Sequence, residues 1–276
     1  MNGLGRAARS IVRRLGLRRQ ATAYLSGIAN RYYQTTLTSD PRLHERVRRL
    51  QRMARLEGHF AHMELASGDV LHLALFLGQV TLNLETRLAA DGFDPATSLI
   101  LDAGDPDALV LTSLGARRGV SLNILESCVR QVRSMGGRPV QGDCEALPFH
   151  DGAFDYGVCF ETLEHLENPI HALKELRRVC RRKLFVSIPW VRETRIHEDK
   201  HTASDPDVEH HIFEFSPEDF PKVVSHTGCE ITYAGHLAIF PAIRNPVHRL
   251  LLNEFHYPSY FPAFQFYELT ITSNSE

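Results

Sequence analysis

No stretch of this 276-residue chain approaches the roughly 18 to 20 uninterrupted apolar residues needed to span a bilayer, and its start lacks the apolar run of a secretory signal. A cytoplasmic protein is expected. The five cysteines, Cys128, Cys144, Cys159, Cys180 and Cys229, contain no C-x-x-C pair. Their scatter through expected strands and helices reads as buried thiols in a reducing compartment. Internal repeats and low-complexity tracts are also missing. Acid is scarce at one end: from Met1 to Arg55 thirteen arginines face only Asp40 and Glu45, so the formal net charge of −2 hides an acidic excess in the remainder.

That basic end has a pattern. Residues 3–19, GLGRAARSIVRRLGLRR, put Leu4, Ala8, Ile11, Val12 and Leu15 on one helical face and Arg6, Arg9 and Arg13 opposite, an amphipathic basic helix weakened by Gly5 and Gly16. Such an arm suits the inner face of an anionic membrane, an RNA, or its own protein's surface. The hydrophobic content of 43% is that of a soluble globular protein. Three regions are expected: a basic arm over 1–20, a helical region over 21–92, and an α/β domain over 93–276. Stretches 190–215 and 241–263 are insertions that form a lid or line the substrate pocket.

From Ser98 onward the pattern alternates. Strands are expected at 98–103, 118–122, 138–141, 154–160, 182–188, 229–236 and 264–272, and helices at 106–114, 124–135 and 169–180, with a further helix capped by Ser216. Apolar runs alternating with helical segments make a wound, mostly parallel sheet with helices on both faces.

The first strand ends in LILDAGDPDALVL, residues 98–110, where a single glycine, Gly104, is followed by Asp105-Pro106-Asp107. Asp105 suits an N-cap, Pro106 a first helical residue, and Asp107 a first-turn carboxylate. The second and third glycines of a dinucleotide fingerprint are missing, and carboxylates occupy the place where a pyrophosphate would need free N–H donors. A ligand without phosphates, and preferably with positive charge, fits this turn.

Residues 142–189, GDCEALPFHDGAFDYGVCFETLEHLENPIHALKELRRVCRRKLFVSIP, together with Asp102 and Gly104, resemble the class I S-adenosylmethionine-dependent methyltransferases of type 11, with a degenerate first glycine motif. The resemblance runs from about Ser98 to the C-terminus. It implies a Rossmann-like seven-stranded sheet, mostly parallel with the last strand antiparallel, behind an N-terminal helical extension. It implies S-adenosylmethionine as cofactor. Asp143 would then accept from the adenine amino group, Cys144 would offer its backbone N–H to the ring, and Leu147 and Phe149 would flank the base. At the first motif, Asp102 and Gly104, the backbone would come close to the methionine moiety while a carboxylate orients the turn. The family expects an acid at the end of the second strand for the ribose hydroxyls; GVSLNILESC supplies Ser121 and Asn123, and the Asn123 amide is a weaker substitute.

After the fourth strand, FETLEHL places Glu161 at the carboxyl end, facing the crevice where open α/β sheets bind ligands. His165 lies four residues on, on the same side if one helical turn forms there. An imidazole that titrates near neutrality suits a base for an acceptor hydroxyl, and His165 is the catalytic candidate. Its other reading is a structural histidine at the sheet edge. His197, His201, His210 and His211 fall in a polar loop without the fixed spacing a metal site wants, so no metal ligand is assigned and His210 or His211 is expected near the substrate.

The Asn/Asp-Pro-Pro-Tyr/Phe stretch of adenine- and glutamine-methylating relatives is missing, as is the Pro-Cys nucleophile of cytosine-carbon enzymes. A small-molecule, sugar or lipid-linked acceptor, methylated at oxygen, is therefore expected. Two alternatives stay open: a non-catalytic methyltransferase-like binding protein, and an RNA methyltransferase using the basic arm, although no recognisable RNA-binding module accompanies that arm.

Overall fold

A computed structural model describes residues 18–54, 67–197, 211–239, 244–251 and 263–272. Residues 3–17 of the basic arm, His201, His210 and most of the 241–263 insertion lie outside them.

Among the described residues three helices come first: α1 (Arg18–Ser39), α2 (Pro41–Ala54) and α3 (Ser67–Ala90). Asp40 starts α2, its Oδ1 accepting the N–H groups of Arg42 and Leu43 at 2.8 and 3.3 Å while Pro41 fills the first helical position. Ile28, Ala29 and Tyr33 of α1 and Leu43, Val47 and Leu50 of α2 are buried. Gly78 of α3 lies close to α2: a Cβ there would meet Val47 Cγ2 at 2.8 Å. The chain divides into two compact units, Met1–Gly78 with Ala238–Ala263, and Gln79–Leu237 with Phe264–Glu276, so the division falls inside α3.

The second unit is built on strands β1 (Ile100–Ala103), β2 (Gly119–Asn123), β3 (Pro139–Gln141), β4 (Phe154–Phe160), β5 (Cys180–Pro189), β8 (Cys229–Ala238) and β9 (Ala263–Ile271). They form one sheet in the order β3-β2-β1-β4-β5-β9-β8. β1 pairs in parallel with β2 and β4, and β5 pairs antiparallel with β9. This is the Rossmann-like sheet expected from the sequence, with its last strand antiparallel. Leu101, Ala103, Leu184, Val186 and Leu269 fill the core against the buried face of α6 (Pro169–Val179), namely Ala172, Leu173, Leu176 and Val179. Asn168 caps α6, its side chain accepting from His171 N at 3.1 Å, with Pro169 at the first position.

Three helices start later than the sequence suggests, the one over Glu126–Ser134 by two residues and two others by more. α4 runs over Leu109–Ser113, not from 106, because Asp105 folds its own carboxylate back onto the N–H groups of Asp107 and Ala108 at 2.9 and 2.8 Å. That local turn competes with the helix and wins. Ala108 then takes a left-handed conformation (φ 63°) before α4 begins. Likewise α7 covers Phe220–Ser225 behind Asp219; Ser216 instead gives its Oγ–H to the Asp219 carboxylate. α5 (Glu126–Ser134) follows β2, and a short α8 (Pro246–Leu251) lies in the first unit. The expected 190–215 loop is closed at its base by a two-stranded antiparallel ladder, β6 (Arg195–Ile196) with β7 (Phe213–Glu214).

Candidate active site

The strand order reverses between β1 and β4, and ligands of open α/β sheets sit beyond the strand ends at such a point. Asp102 lies in β1 opposite Ser121 and Val158. Gly104 follows with φ 92°, a conformation that favours glycine, and a Cβ there would fall 2.2 Å from Thr162 Oγ1. Backbone from the β1 turn and side chain from the β4 end are thus in direct contact. Glu161 also has a left-handed backbone (φ 47°), which is strain stored where β4 leaves the sheet. It is anchored to β5: Glu161 N donates to Ser187 O at 3.1 Å and Ser187 Oγ donates to Glu161 Oε1 at 2.8 Å.

Three carboxylates are buried in the β1 turn: Asp102, Asp105 and Asp107. Asp105 accepts two N–H groups and the Ser121 hydroxyl, yet burial, with the nearby Asp107 charge, pushes its carboxyl up to about 6. Burial, then the charges of Asp105 and Asp107, raise Asp102 well above the ordinary carboxylate range. Asp102 Oδ2 is buried and accepts no hydrogen bond from the described residues. A cation would relieve this crowding, and the amino group and sulfonium of S-adenosylmethionine carry positive charge. The turn fits that ligand and does not fit a pyrophosphate, since Asp105 and Asp107 already occupy the N–H groups of Asp107, Ala108 and Leu109.

At the neighbouring strand ends Asp143 is exposed; its Oδ1 accepts Glu145 N at 2.8 Å, leaving Oδ2 unengaged among the described residues. Arg178 and Glu175 of α6 hold the loop that follows: Arg178 donates to Phe149 O at 2.8 Å and Leu147 O at 3.0 Å, and Glu175 Oε2 accepts Leu147 N at 2.9 Å. Cys144 is buried, and burial followed by the Asp143 and Asp102 charges pushes its thiol up to about 12, which rules it out as a nucleophile near neutrality. Ile124 and Leu125, just beyond β2, are 62% and 57% exposed, and Gln141 Nε2 ties the β3 end to Ile124 O at 3.2 Å. This exposed apolar pair, tied through Gln141 to the β3 end that precedes Asp143, suits a base; the sequence pattern places it at the start of an expected helix from 124.

Asn123 is placed differently from expectation. Its amide nitrogen donates to Gly104 O and Asp105 O at 3.1 and 3.2 Å, and its Oδ1 accepts Leu125 N, so it braces the β1 turn. Glu161 and His165 are not one helical turn apart either. A 3-10 turn spans only Leu163–His165, and Glu161 precedes it with left-handed backbone. The carboxylate that accompanies His165 is the buried Glu164. Ile212 N donates to Glu164 O at 2.7 Å, and the rings of His165 and His211 meet edge to face with centroids 4.8 Å apart. β7 therefore carries His211 to the β4 end. His197 lies across the same ladder beside Glu214, and Glu214 also takes Arg195 and His211.

Residues 102–186 match the family described as the methyltransferase domain. That stretch of the chain is similar to a methyltransferase domain, and it runs from within β1 to within β5, the strands whose ends build the crevice. Three solved structures share the fold. Magnesium protoporphyrin IX methyltransferase from Synechocystis PCC 6803, with bound S-adenosylmethionine, is 16% identical with a TM-score of 0.52 over 80% of this chain and 90% of that one. The 1,6-didemethyltoxoflavin-N1-methyltransferase of Burkholderia thailandensis, with its substrate and S-adenosylhomocysteine, is 12% identical with a TM-score of 0.53 over 71% of this chain and 78% of that one. The [4+2]-cyclase SpnF is 13% identical with a TM-score of 0.52 over 76% of this chain and 85% of that one. At these identities the likeness is one of fold, and a fold that serves methyltransferases and a cyclase leaves the acceptor chemistry to the site. No curated protein sequence matches the chain.

Proposed function

We propose that the methyltransferase domain binds S-adenosylmethionine along the ends of β1 to β4 and methylates an oxygen of a small-molecule, sugar or lipid-linked acceptor. The observation that carries this reading is the pairing of opposite demands in one crevice. Buried Asp102 has an unanswered carboxylate oxygen at the β1 end, and exposed Asp143 follows the β3 end, where Gln141 holds the backbone of the exposed Ile124. A nucleoside with a cationic tail meets both. Asp102 would hold the cationic end, Gly104 would allow its close approach, Asp143 would accept from the adenine amino group and Cys144 would offer its backbone N–H. Asn123 and Glu161 act by holding the β1 turn and the β4 end in place.

When bound, S-adenosylmethionine supplies a methyl group on an activated sulfonium, so the protein's task is alignment and removal of the acceptor's proton. His165, just past the β4 end, is the group we assign to that proton, with His211 packed on its ring. Calorimetry with S-adenosylmethionine and S-adenosylhomocysteine tests the reading. Wild-type protein should bind both, Asp143→Ala should bind at least about tenfold more weakly through loss of a charged hydrogen bond, and NAD should give no heat. Absence of heat with the wild-type chain at millimolar ligand overturns it. Binding without turnover across a screen of hydroxylated acceptors would favour the non-catalytic alternative, which draws its support from the missing ribose acid at Asn123.

A further inference from the structure

Two imidazoles and a buried carboxylate meet at the foot of the β6–β7 ladder. Glu164, His165 and His211 each offer one ligand atom, and these atoms all lie within 4.8 Å of one another. The three residues come from two segments, 163–165 and 211–214, that are stapled by the 2.7 Å bond from Ile212 N to Glu164 O. Glu164 is only 1% exposed, so an ionised carboxylate there needs positive charge close at hand.

We propose that Glu164, His165 and His211 bind a divalent first-row transition-metal ion. Two imidazoles and one carboxylate are the donor set of three-ligand zinc sites and of non-haem iron sites that keep positions open for an outside ligand. Two nitrogen donors argue against calcium or magnesium, which take oxygen. A tetrahedral ion with bonds of about 2.0 to 2.1 Å wants its ligand atoms about 3.4 Å apart. The three ligand atoms, all within 4.8 Å of one another, must draw together on metal binding to reach that spacing.

The surroundings carry the arrangement further. His211 Nδ1 lies 3.1 Å from Glu214 Oε1, which leaves Nε2 as the nitrogen for the ion. A carboxylate behind a ligating histidine fixes its tautomer and raises its basicity. The sequence concealed the set because 46 positions separate His165 from His211, and because the histidine run 197–211 suggested a loop site whose members do not include Glu164.

Metal binding stands independently of methyl transfer. Where an ion is bound and the reading above also holds, its open position would lower the pKa of a coordinated acceptor oxygen, and His165 would serve as ligand in place of the proton-accepting role assigned to it above for the metal-free protein.

The test uses the full chain, tag-free and stripped with a chelator, titrated with Co(II) by absorption and with Zn(II) by calorimetry. One ion per chain is expected, at micromolar dissociation constant or tighter. His165→Ala, His211→Ala and Glu164→Gln should each weaken it at least tenfold, and Glu214→Gln by about ten- to a hundredfold through the outer partner. His226→Ala, in the α7 end, should leave it unchanged. Circular dichroism verifies that each variant folds, and Glu164→Gln, which preserves side-chain shape, serves if a histidine variant does not. No cobalt absorption at millimolar metal, or binding that all three ligand variants leave intact, overturns the proposal. S-adenosylmethionine binding measured on the same samples reports separately on the methyltransferase reading.

Discussion

Asp105 is the residue whose replacement tests the electrostatics of the β1 turn most directly. Its carboxyl rises from 3.8 to about 6, first through burial and then through Asp107. A carboxyl whose folded pKa lies above its unfolded one binds its proton more tightly in the native state. Its contribution to stability is therefore intact below about pH 4 and is lost as the pH climbs through 6. The shift of about 2.2 units is worth about 3 kcal/mol once ionisation is complete. Asp105→Asn keeps the acceptor for the Asp107 and Ala108 N–H groups, can still bond the Ser121 hydroxyl, and carries no charge. The variant should be more stable than wild type by about 3 kcal/mol at pH 7.5 and by about half that at pH 5. At about 2 to 4 °C per kcal/mol, the gain at pH 7.5 is a rise in Tm of about 6 to 12 °C. Urea unfolding of both proteins without ligand, across pH 5 to 8, measures it. A variant less stable than wild type at pH 7.5, or an advantage that does not shrink toward pH 5, refutes the idea that this turn holds uncompensated charge.

Gly104→Ala, with φ 92° and a Cβ 2.2 Å from Thr162 Oγ1, should cost at least about 2 kcal/mol in urea unfolding and abolish cofactor binding; an unchanged midpoint would show that Thr162 can move aside. Arg178→Ala should free the 147–149 backbone and weaken S-adenosylhomocysteine binding several-fold in calorimetry while the sheet still folds, and wild-type affinity would mean the loop is held by its apolar contacts alone. Labelling with a thiol reagent should spare Cys144, Cys159 and Cys180, which are buried with raised thiol pKa values, until the protein is unfolded; rapid loss of all five thiols would contradict that burial. Deleting residues 1–20 should leave cofactor binding intact and reduce sedimentation with anionic vesicles, whereas equal partitioning of the two proteins would remove the membrane role of the arm.

Several features of this protein follow from residues within a few positions of each other. The strand Phe154–Phe160 matches its apolar run, Asn168-Pro169 starts α6 where a cap and an N1 proline stand together, and the single glycine at 104 turns the chain after β1. Such signals are legible because periodicity, caps and turn residues act locally. Local competition was less legible: whether Asp105 would cap a helix or bond its own turn depends on the buried Ser121 hydroxyl and the Asn123 amide, which arrive from β2. The partners of each candidate residue were decided by strand order. β2 beside β1 set the Asn123 amide against the Gly104 and Asp105 carbonyls, and the β6–β7 ladder carried His211 to Glu164 and His165. The crowding of Asp102, Asp105 and Asp107 likewise takes its force from burial, which is a property of the packed sheet and of no single segment. Chain pattern determines which elements form, because their hydrogen bonds and apolar faces repeat along the sequence. The charges and donors that meet at the strand ends come from distant segments, and only the closed tertiary structure, which removes water from between them, determines what they can do.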